Sequence, residues 1–159
     1  MSNKTDTSNG KCVSIFQINL GKSRDAQNKL INQKLSDQYN IILAQEPYIH
    51  PLGYIPTPSN FHPIIPETRR DTEKGSVRSI IWVSTKLNTA NWEPLGQISS
   101  NDITAIHLKT GRHQITIFNI YNDCNDDKAL KALDSYLRKH SLQLTGSDED
   151  HIIWAGDFN

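Results

Sequence analysis

Six short apolar segments constrain the fold of this chain more than any other feature, because each has the length and composition of a β-strand. We predict strands at Val13–Leu20, Ile41–Ala44, Ser79–Val83, Asp102–Leu108, Gln114–Tyr121 and His151–Ala155. The segment Ile41–Ala44 is apolar on both faces, which is typical of a parallel strand buried within a sheet. The sequence therefore predicts a fold built around buried strands.

Two helices are predicted between these strands. Ser23 can cap a helix that has Asp25 in its first turn, near the positive end of the helix dipole, and that runs to about Gln38. This helix and its flanking strands form a strand–helix–strand unit. A second helix is predicted at Asp127–His140, and Thr110–Arg112 has the composition of a hairpin turn.

The segment 47–76 differs in composition from the rest of the chain. It contains six of the seven prolines, at positions 47, 51, 56, 58, 63 and 66. We predict a long loop without regular structure here, and long loops inside compact domains are usually functional.

Length and charge bound the function. The 159 residues fit one domain, with residues 1–11 as a flexible tail and residues 12–159 as the folded part. The 17 basic and 17 acidic side chains give a net charge of zero, which argues against nucleic-acid binding by bulk charge alone but allows a local basic face. Cys12 and Cys124 are far apart, so neither a zinc site nor a disulfide framework is expected. We expect no membrane span and no secretory signal, and an intracellular protein.

Polar residues capable of metal and phosphate chemistry follow the predicted strands. Asn19, Glu46, Tyr121, Asp157 and Asn159 each lie at or just past a carboxyl end, where ligands bind in α/β sheets. Carboxylate and amide oxygens suit Mg²⁺ or Mn²⁺ rather than zinc. A magnesium ion bound in this way typically acts on phosphate groups.

Each of these residues also has an ordinary structural interpretation. Glu46 precedes a proline and could be a solvated turn residue, and Asn19 could be a turn former. Tyr121 could pack with its hydroxyl group in water, and Arg78 could be a surface charge. Their joint position at the ends of one predicted set of strands is what favours a site.

Five short motifs, taken in order, resemble the endonuclease/exonuclease/phosphatase superfamily. They are Gln17–Asn19, Leu43–Pro47, Arg78–Trp82, Asn119–Asp123 and Trp154–Asn159, the last ending in Gly-Asp-Phe-Asn. The variants Gln45–Ile49 and Tyr121–Cys124 look closest to endonuclease domains of non-LTR retrotransposons, especially fungal LINE-like elements. The resemblance covers about residues 13–159.

This resemblance implies a four-layer α/β sandwich in which two packed sheets are flanked by helices. Glu46 would bind the divalent cation, with Asn19 helping to hold the ion or its water shell. Asp157 would orient or deprotonate the attacking water, Asn159 would position that aspartate or the phosphate, and Tyr121 would donate a hydrogen bond to a phosphate oxygen.

The resemblance also implies the substrate, DNA, whose phosphodiester bonds would be hydrolysed with Mg²⁺ or Mn²⁺ as cofactor. Arg78 would bind backbone phosphates near the site. A reverse transcriptase in the same polyprotein would be a partner, no membrane would be involved, and a DNA substrate would place the protein in the nucleus.

The chain departs from the family pattern in two places. Tyr121–Cys124 lacks the Pro-Asn that many members have after the tyrosine. The family continues beyond the Gly-Asp-Phe-Asn motif with strands that supply a Ser-Asp-His motif, so we expect this chain to be the N-terminal portion of the domain, with an apolar face of the second sheet exposed.

Three functions remain open at this stage. The first is a retrotransposon DNA endonuclease by ancestry, inactive as this shortened chain. The second is a phosphoesterase of the same superfamily that acts on a lipid or small-molecule phosphate. The third is a non-catalytic remnant of the fold.

Overall fold

Two mixed four-stranded sheets form the centre of the molecule. This computed structural model describes residues 12–71, 73, 75–110, 113–144 and 150–158. The first sheet has the order β1-β2-β4-β3, from Ile15–Asn19, Ile41–Gln45, Phe61–Ile64 and Ser79–Ser84 for β1 to β4. The second has the order β5-β6-β7-β8, from Trp92–Pro94, Ile103–Thr110, His113–Tyr121 and Asp150–Asp157.

Each sheet contains one parallel pair, and these two pairs determine where the site forms. Strands β1 and β2 run parallel, as do β7 and β8, whereas the other neighbours are antiparallel. The register sets Asn19 beside Gln45 in the first sheet and Tyr121 beside Asp157 in the second. Within each sheet, the carboxyl ends of the parallel strands are therefore level with each other.

The sheets pack face to face, and one helix covers the outer face of each. The shared core is apolar and consists of Ile41, Leu43, Ile81 and Val83 from the first sheet with Ile106, Leu108 and Ile117 from the second. Helix α1 (Arg24–Ile31) packs its Leu30 against the first sheet, and α2 (Lys128–Leu144) packs Ala129 and Tyr136 against the second. This arrangement confirms the expected four-layer α/β sandwich.

The first helix is shorter than the sequence pattern predicts. The Ser23 Oγ accepts a hydrogen bond from the Ala26 amide at 3.2 Å, which confirms the predicted cap. The helix ends at Ile31, however, and a 3₁₀ turn at Leu35–Asp37 replaces its predicted continuation to Gln38. Leu35 lies in this turn and is buried, so its apolar side chain contributes to the core without being part of a longer helix.

The prediction of a structureless segment at 47–76 is wrong. It contains strand β3 and a 3₁₀ turn at Glu67–Arg70. Pro63 lies within β3, which is tolerated because β3 is the edge strand of its sheet and a proline there removes no central ladder bond. The three-residue β5, also at an edge, was not predicted.

Large apolar side chains are exposed on β8, the other edge of the second sheet. Ile153 is 37% and Trp154 is 44% exposed, although the Trp154 ring stacks on that of Phe118 at 4.7 Å. Ile153 and Trp154 are consecutive in the strand and point to opposite faces of the sheet, so the expected exposure of a single apolar face stays a prediction. In the part of the chain described here, no helix is long and apolar enough to cross a membrane.

Acid is expected to destabilise the protein through His107, which is buried on β6. Its Nδ1 lies 2.8 Å from the Thr116 Oγ1, and burial lowers the pKa of the ring below the ordinary 6.5. Because the unfolded chain takes up the proton at a higher pH, the unfolding free energy should fall as the pH drops through about 6.5 towards 5. In urea unfolding across this pH range, the unfolding free energy of His107→Gln should fall less steeply than that of the wild type. His62→Gln, at an exposed histidine, is the control and should behave as the wild type does. If the unfolding free energy of all three proteins falls equally with pH, the assignment to His107 is wrong.

Candidate active site

Residues from the two sheets meet at the strand ends. Asn19 ends β1 and Asp157 ends β8, and the Asn19 Nδ2 donates a hydrogen bond of 2.6 Å to the Asp157 Oδ2. The backbone of Asp157 is also held, because its carbonyl accepts from the Asn122 amide at 2.7 Å. Two residues that are far apart in sequence and were both predicted as site residues are therefore in direct contact.

Gln17 and Gly156, which precede Asn19 and Asp157 on the same two strands, also join β1 to β8. The Gln17 Nε2 donates to the Gly156 carbonyl at 2.7 Å, and the Gly156 amide donates back to the Gln17 Oε1 at 3.3 Å. This reciprocal amide bridge fixes the end of β8 against β1. Gln17 belonged to a recognised motif but had no predicted role, and its function here is to place Asp157.

Glu46 occupies a strained turn immediately after β2. Its φ of 46° is in the left-handed region, where a residue other than glycine costs roughly 1–3 kcal/mol. Backbone bonds hold this conformation: the Glu46 amide donates to the Arg78 carbonyl and its carbonyl accepts from Lys22, both at 2.8 Å. Strain maintained by surrounding structure is a feature of functional positions.

The Glu46 carboxylate faces the other sheet. Its negative charge acts on the Tyr121 hydroxyl, and its Oε1 lies 3.4 Å from the Lys22 Nζ. Burial, and then the negative charge of Glu46, raise the pKa of the Tyr121 hydroxyl. Tyr121 therefore keeps its proton at neutral pH and can act as a hydrogen-bond donor.

Arg78 organises the remainder of the site. Its Nε and Nη2 donate to the two carboxylate oxygens of Asp102 at 2.7 and 2.9 Å, and its Nη1 donates to Asp123. The guanidinium also stands over the Tyr121 ring, 4.7 Å from the centroid. Of its five N–H groups, two are not used by these three bonds.

These contacts shift the ionisation of the charged groups involved. The Asp102 hydrogen bonds raise the pKa of Arg78. The backbone amide of Asn125, followed by the Arg78 bond, lowers the pKa of Asp123 to about 2. Arg78 and Asp123 are therefore charged at any physiological pH. The sequence analysis missed both aspartates, although the acidic residue at the start of a buried strand was a signal for Asp102.

A layer of buried polar side chains supports the site from below. Asn119 donates to the Ala44 and Ile80 carbonyls at 3.1 and 2.8 Å and accepts a hydrogen bond from the Gln45 Nε2. Ser79 donates to the Asn119 carbonyl at 2.8 Å. These bonds join the two sheets next to the site, because Gln45 directly precedes Glu46 and Asn119 lies two residues before Tyr121. Both Gln45 and Asn119 are fully buried.

The donor set fits a hard divalent cation. Glu46 and Asp157 supply carboxylate oxygens from opposite sheets, and Mg²⁺ is typically bound by one or two carboxylates plus substrate phosphates. Among the described residues there is no cluster of three His, Cys, Asp or Glu side chains that would form an all-protein cage. The Asn19 Oδ1 accepts from the Gly21 amide at 2.8 Å, so its amide is oriented to hold Asp157. Asn159 lies outside the described residues.

The same fold occurs in solved structures of other proteins, one of which is an endonuclease domain. Searches of protein-family models and of curated proteins give no match. The endonuclease domain of TRAS1, a telomere-specific non-LTR retrotransposon, superimposes with a TM-score of 0.61 at 21% identity, over 92% of this chain and 58% of that domain. The chain has the endonuclease/exonuclease/phosphatase fold.

Two further examples of the endonuclease/exonuclease/phosphatase fold show how widely it is shared. Truncated TDP2 from Caenorhabditis elegans gives a TM-score of 0.56 at 11% identity, with coverage of 92% of this chain and 62% of that one. The human Nocturnin catalytic domain, solved with a bound sulfate anion, gives 0.50 at 14% identity, with coverage of 92% and 64%. The chain thus spans about three fifths of the length of these neighbours.

Proposed function

We propose that this chain contains the metal-binding and water-activating part of a divalent-metal-dependent phosphodiester hydrolase whose substrate is DNA. The observation that supports this best is the contact between Asn19 and Asp157, which joins the two sheets at 2.6 Å. Asn19 pairs in register with Gln45, the residue before Glu46, so Asp157 and Glu46 follow strands that end at the same edge. A carboxylate held in one orientation there suits proton removal from water next to a bound cation.

Each residue then has a defined task. Glu46 holds Mg²⁺ or Mn²⁺, which neutralises charge on the phosphate when bound. Asp157 accepts the proton of the attacking water, and Asn19 keeps its carboxylate in place. Tyr121, protonated as described above, donates to a phosphate oxygen. Asn159, by resemblance, positions Asp157 or the phosphate.

Arg78 is proposed to reach a backbone phosphate with the two N–H groups that Asp102 and Asp123 leave available. Its charge is balanced by these two acids, so we expect its larger effect to be on the position of Tyr121 beneath it. A DNA substrate in a retrotransposon would also imply a reverse transcriptase in the same polyprotein and a nuclear location.

A phosphoesterase acting on a lipid or small-molecule phosphate is the alternative, since the site chemistry would be the same. Sulfate in the Nocturnin structure shows that a small tetrahedral anion can bind to a protein of this fold. The two possibilities are separated by comparing the rate of hydrolysis of plasmid DNA with the rates for inositol phosphates and for a nucleotide monoester. Faster hydrolysis of a small phosphate would show that the substrate is not DNA.

The metal assignment makes a direct prediction. Glu46→Gln removes the main charged donor and should abolish Mn²⁺ binding in calorimetric titration, while circular dichroism and the melting temperature stay close to those of the wild type. Glu93→Gln is the matched control, because Glu93 is an exposed glutamate on β5 whose ion pair is with Lys109. An isotherm unchanged by Glu46→Gln would refute the assignment.

A further inference from the structure

A pocket of about 430 Å³ with a mixed polar and apolar lining lies close in the chain to candidate site residues and is not used by the proposed chemistry. Its lining includes Ile49, three residues after Glu46, and Val77, which directly precedes Arg78. The chain therefore connects both walls of the pocket to site residues at the same sheet edge. Leu52 and Gly53 form one rim, and two arginines form the other.

The loop at the first rim has an ordered shape and exposes apolar side chains. The rings of His50 and Tyr54 stack at 4.3 Å with an interplanar angle of 18°. The His50 amide donates to the Tyr54 carbonyl at 2.9 Å, and the Gly53 amide donates to the His50 carbonyl at 2.7 Å. Yet Tyr54 is 53% and Leu52 is 83% exposed. Hydrogen bonds thus hold the His50–Tyr54 stack in a defined shape while Tyr54 remains half exposed to solvent.

Arg69 and Arg70 at the opposite rim are available for a ligand. They end the 3₁₀ turn that follows β3 and line the pocket. Among the described residues, neither guanidinium has an ion pair or a side-chain hydrogen bond, whereas Arg78 and Arg138 are both paired with aspartates. Glu67, Asp71 and Glu73 flank the two arginines in the sequence, but a guanidinium that no ion pair holds can bind an anion, and its planar geometry matches that of phosphate.

We propose that this pocket binds the nucleic-acid strand where it leaves the active centre, with a base stacked on Tyr54 and the adjoining phosphates on Arg69 and Arg70. Tyr54 is not itself part of the pocket lining but lies in the chain between Gly53 and Ile55, which are. An exposed aromatic ring close to positive charges is the combination that recognises a base and its phosphate together. The inference rests on the proposed function for the identity of the polymer. It adds a strand-binding surface on the first sheet that the hydrolytic residues do not include.

The test is equilibrium binding of a fluorescein-labelled single-stranded oligonucleotide, followed by anisotropy without a divalent cation so that no cleavage occurs. Arg69→Ala/Arg70→Ala should weaken binding about tenfold and reduce the slope of log affinity against log salt by about 1.4, from roughly 0.7 per phosphate contact. The control Lys34→Ala/Lys86→Ala removes the same charge near Asp37, which pairs with Lys86, beside the end of β4 farthest from the site. This control should leave both the affinity for the oligonucleotide and its dependence on salt close to those of the wild type.

Tyr54 provides the second arm. Tyr54→Ala should weaken binding about tenfold, in line with roughly 1–3 kcal/mol per stacked base, and Tyr54→Phe should restore it. Equal losses from both double variants, an unchanged affinity for Tyr54→Ala, or no binding by the wild type would each overturn the inference. Binding without hydrolysis in the presence of Mg²⁺, in a chain extended by the C-terminal part of the TRAS1 endonuclease domain, would instead refute the proposed function and leave the strand-binding surface standing.

Discussion

The 159-residue chain is expected to nick supercoiled DNA no faster than background in the presence of Mg²⁺. A chain extended by the C-terminal part of the TRAS1 endonuclease domain should nick at least about 10²-fold faster. The described residue proposed for proton transfer is Asp157, whose carboxylate accepts a hydrogen bond from Asn19. Positioned acid–base groups contribute roughly 10²–10⁴-fold, and charge stabilisation on the phosphate roughly 10²–10³-fold more.

Asp157→Asn in the extended chain provides the decisive comparison. It keeps the size of the side chain but removes the proton acceptor, so nicking should fall by roughly 10²–10⁴-fold. Asp150→Asn at the other end of β8 is the matched control and should leave the rate unchanged. If the 159-residue chain nicks as fast as the extended chain, and Asp157→Asn stops both, the downstream histidine is dispensable.

The position of the site could be predicted from the sequence because strand ends are marked locally. Asn19, Glu46, Tyr121 and Asp157 each follow an apolar run, and parallel pairing makes such ends level with one another. What could not be predicted is how these side chains are held. The partners of Arg78 are 24 and 45 residues further along the chain, and only the packing of one sheet on the other brings them together.

The errors in the fold have a related cause. Six prolines in the segment 47–76 suggested irregular structure, but Pro63 occupies an edge strand, where the missing N–H has no ladder partner to lose. Likewise, Leu35 fitted a helical spacing but is buried from a 3₁₀ turn. In both places the local composition was compatible with two structures, and the tertiary packing decided between them.

The buried polar layer under the site also escaped prediction. Gln45 and Asn119 occupy positions at which an apolar residue would be expected, because both lie within strands and are fully buried. Gln45 donates its Nε2 to Asn119, and Asn119 donates to the carbonyls of Ala44 and Ile80, whereas the buried Gln45 Oε1 has no hydrogen-bond partner among the described residues. A buried polar residue at a strand end is thus a usable signal for a nearby site, since it stabilises a fixed approach of the two sheets.

Gly156→Ala is expected to cost roughly 3–5 kcal/mol of unfolding free energy. Gly156 has a φ of 145°, which a residue with a side chain rarely adopts. An added methyl group would also overlap the backbone of Ile120 on the adjacent strand β7, which cannot move without breaking the ladder between β7 and β8. Both penalties apply to the residue directly before Asp157, so the variant should disturb the site as well as the fold.

Gly53→Ala separates backbone strain from this overlap. Gly53 also has a positive φ, 82°, but nothing lies within 4 Å of the position that a methyl group would take. It should cost about 1–2 kcal/mol, from the left-handed conformation alone. Urea unfolding of the two variants measures the difference. We expect Gly156→Ala to lose Mn²⁺ binding with its stability, because displacing the end of β8 separates Asp157 from Asn19. Unfolding midpoints that agree for the two alanine variants would show that β8 does not approach β7 in this way and that Asp157 is placed by other contacts.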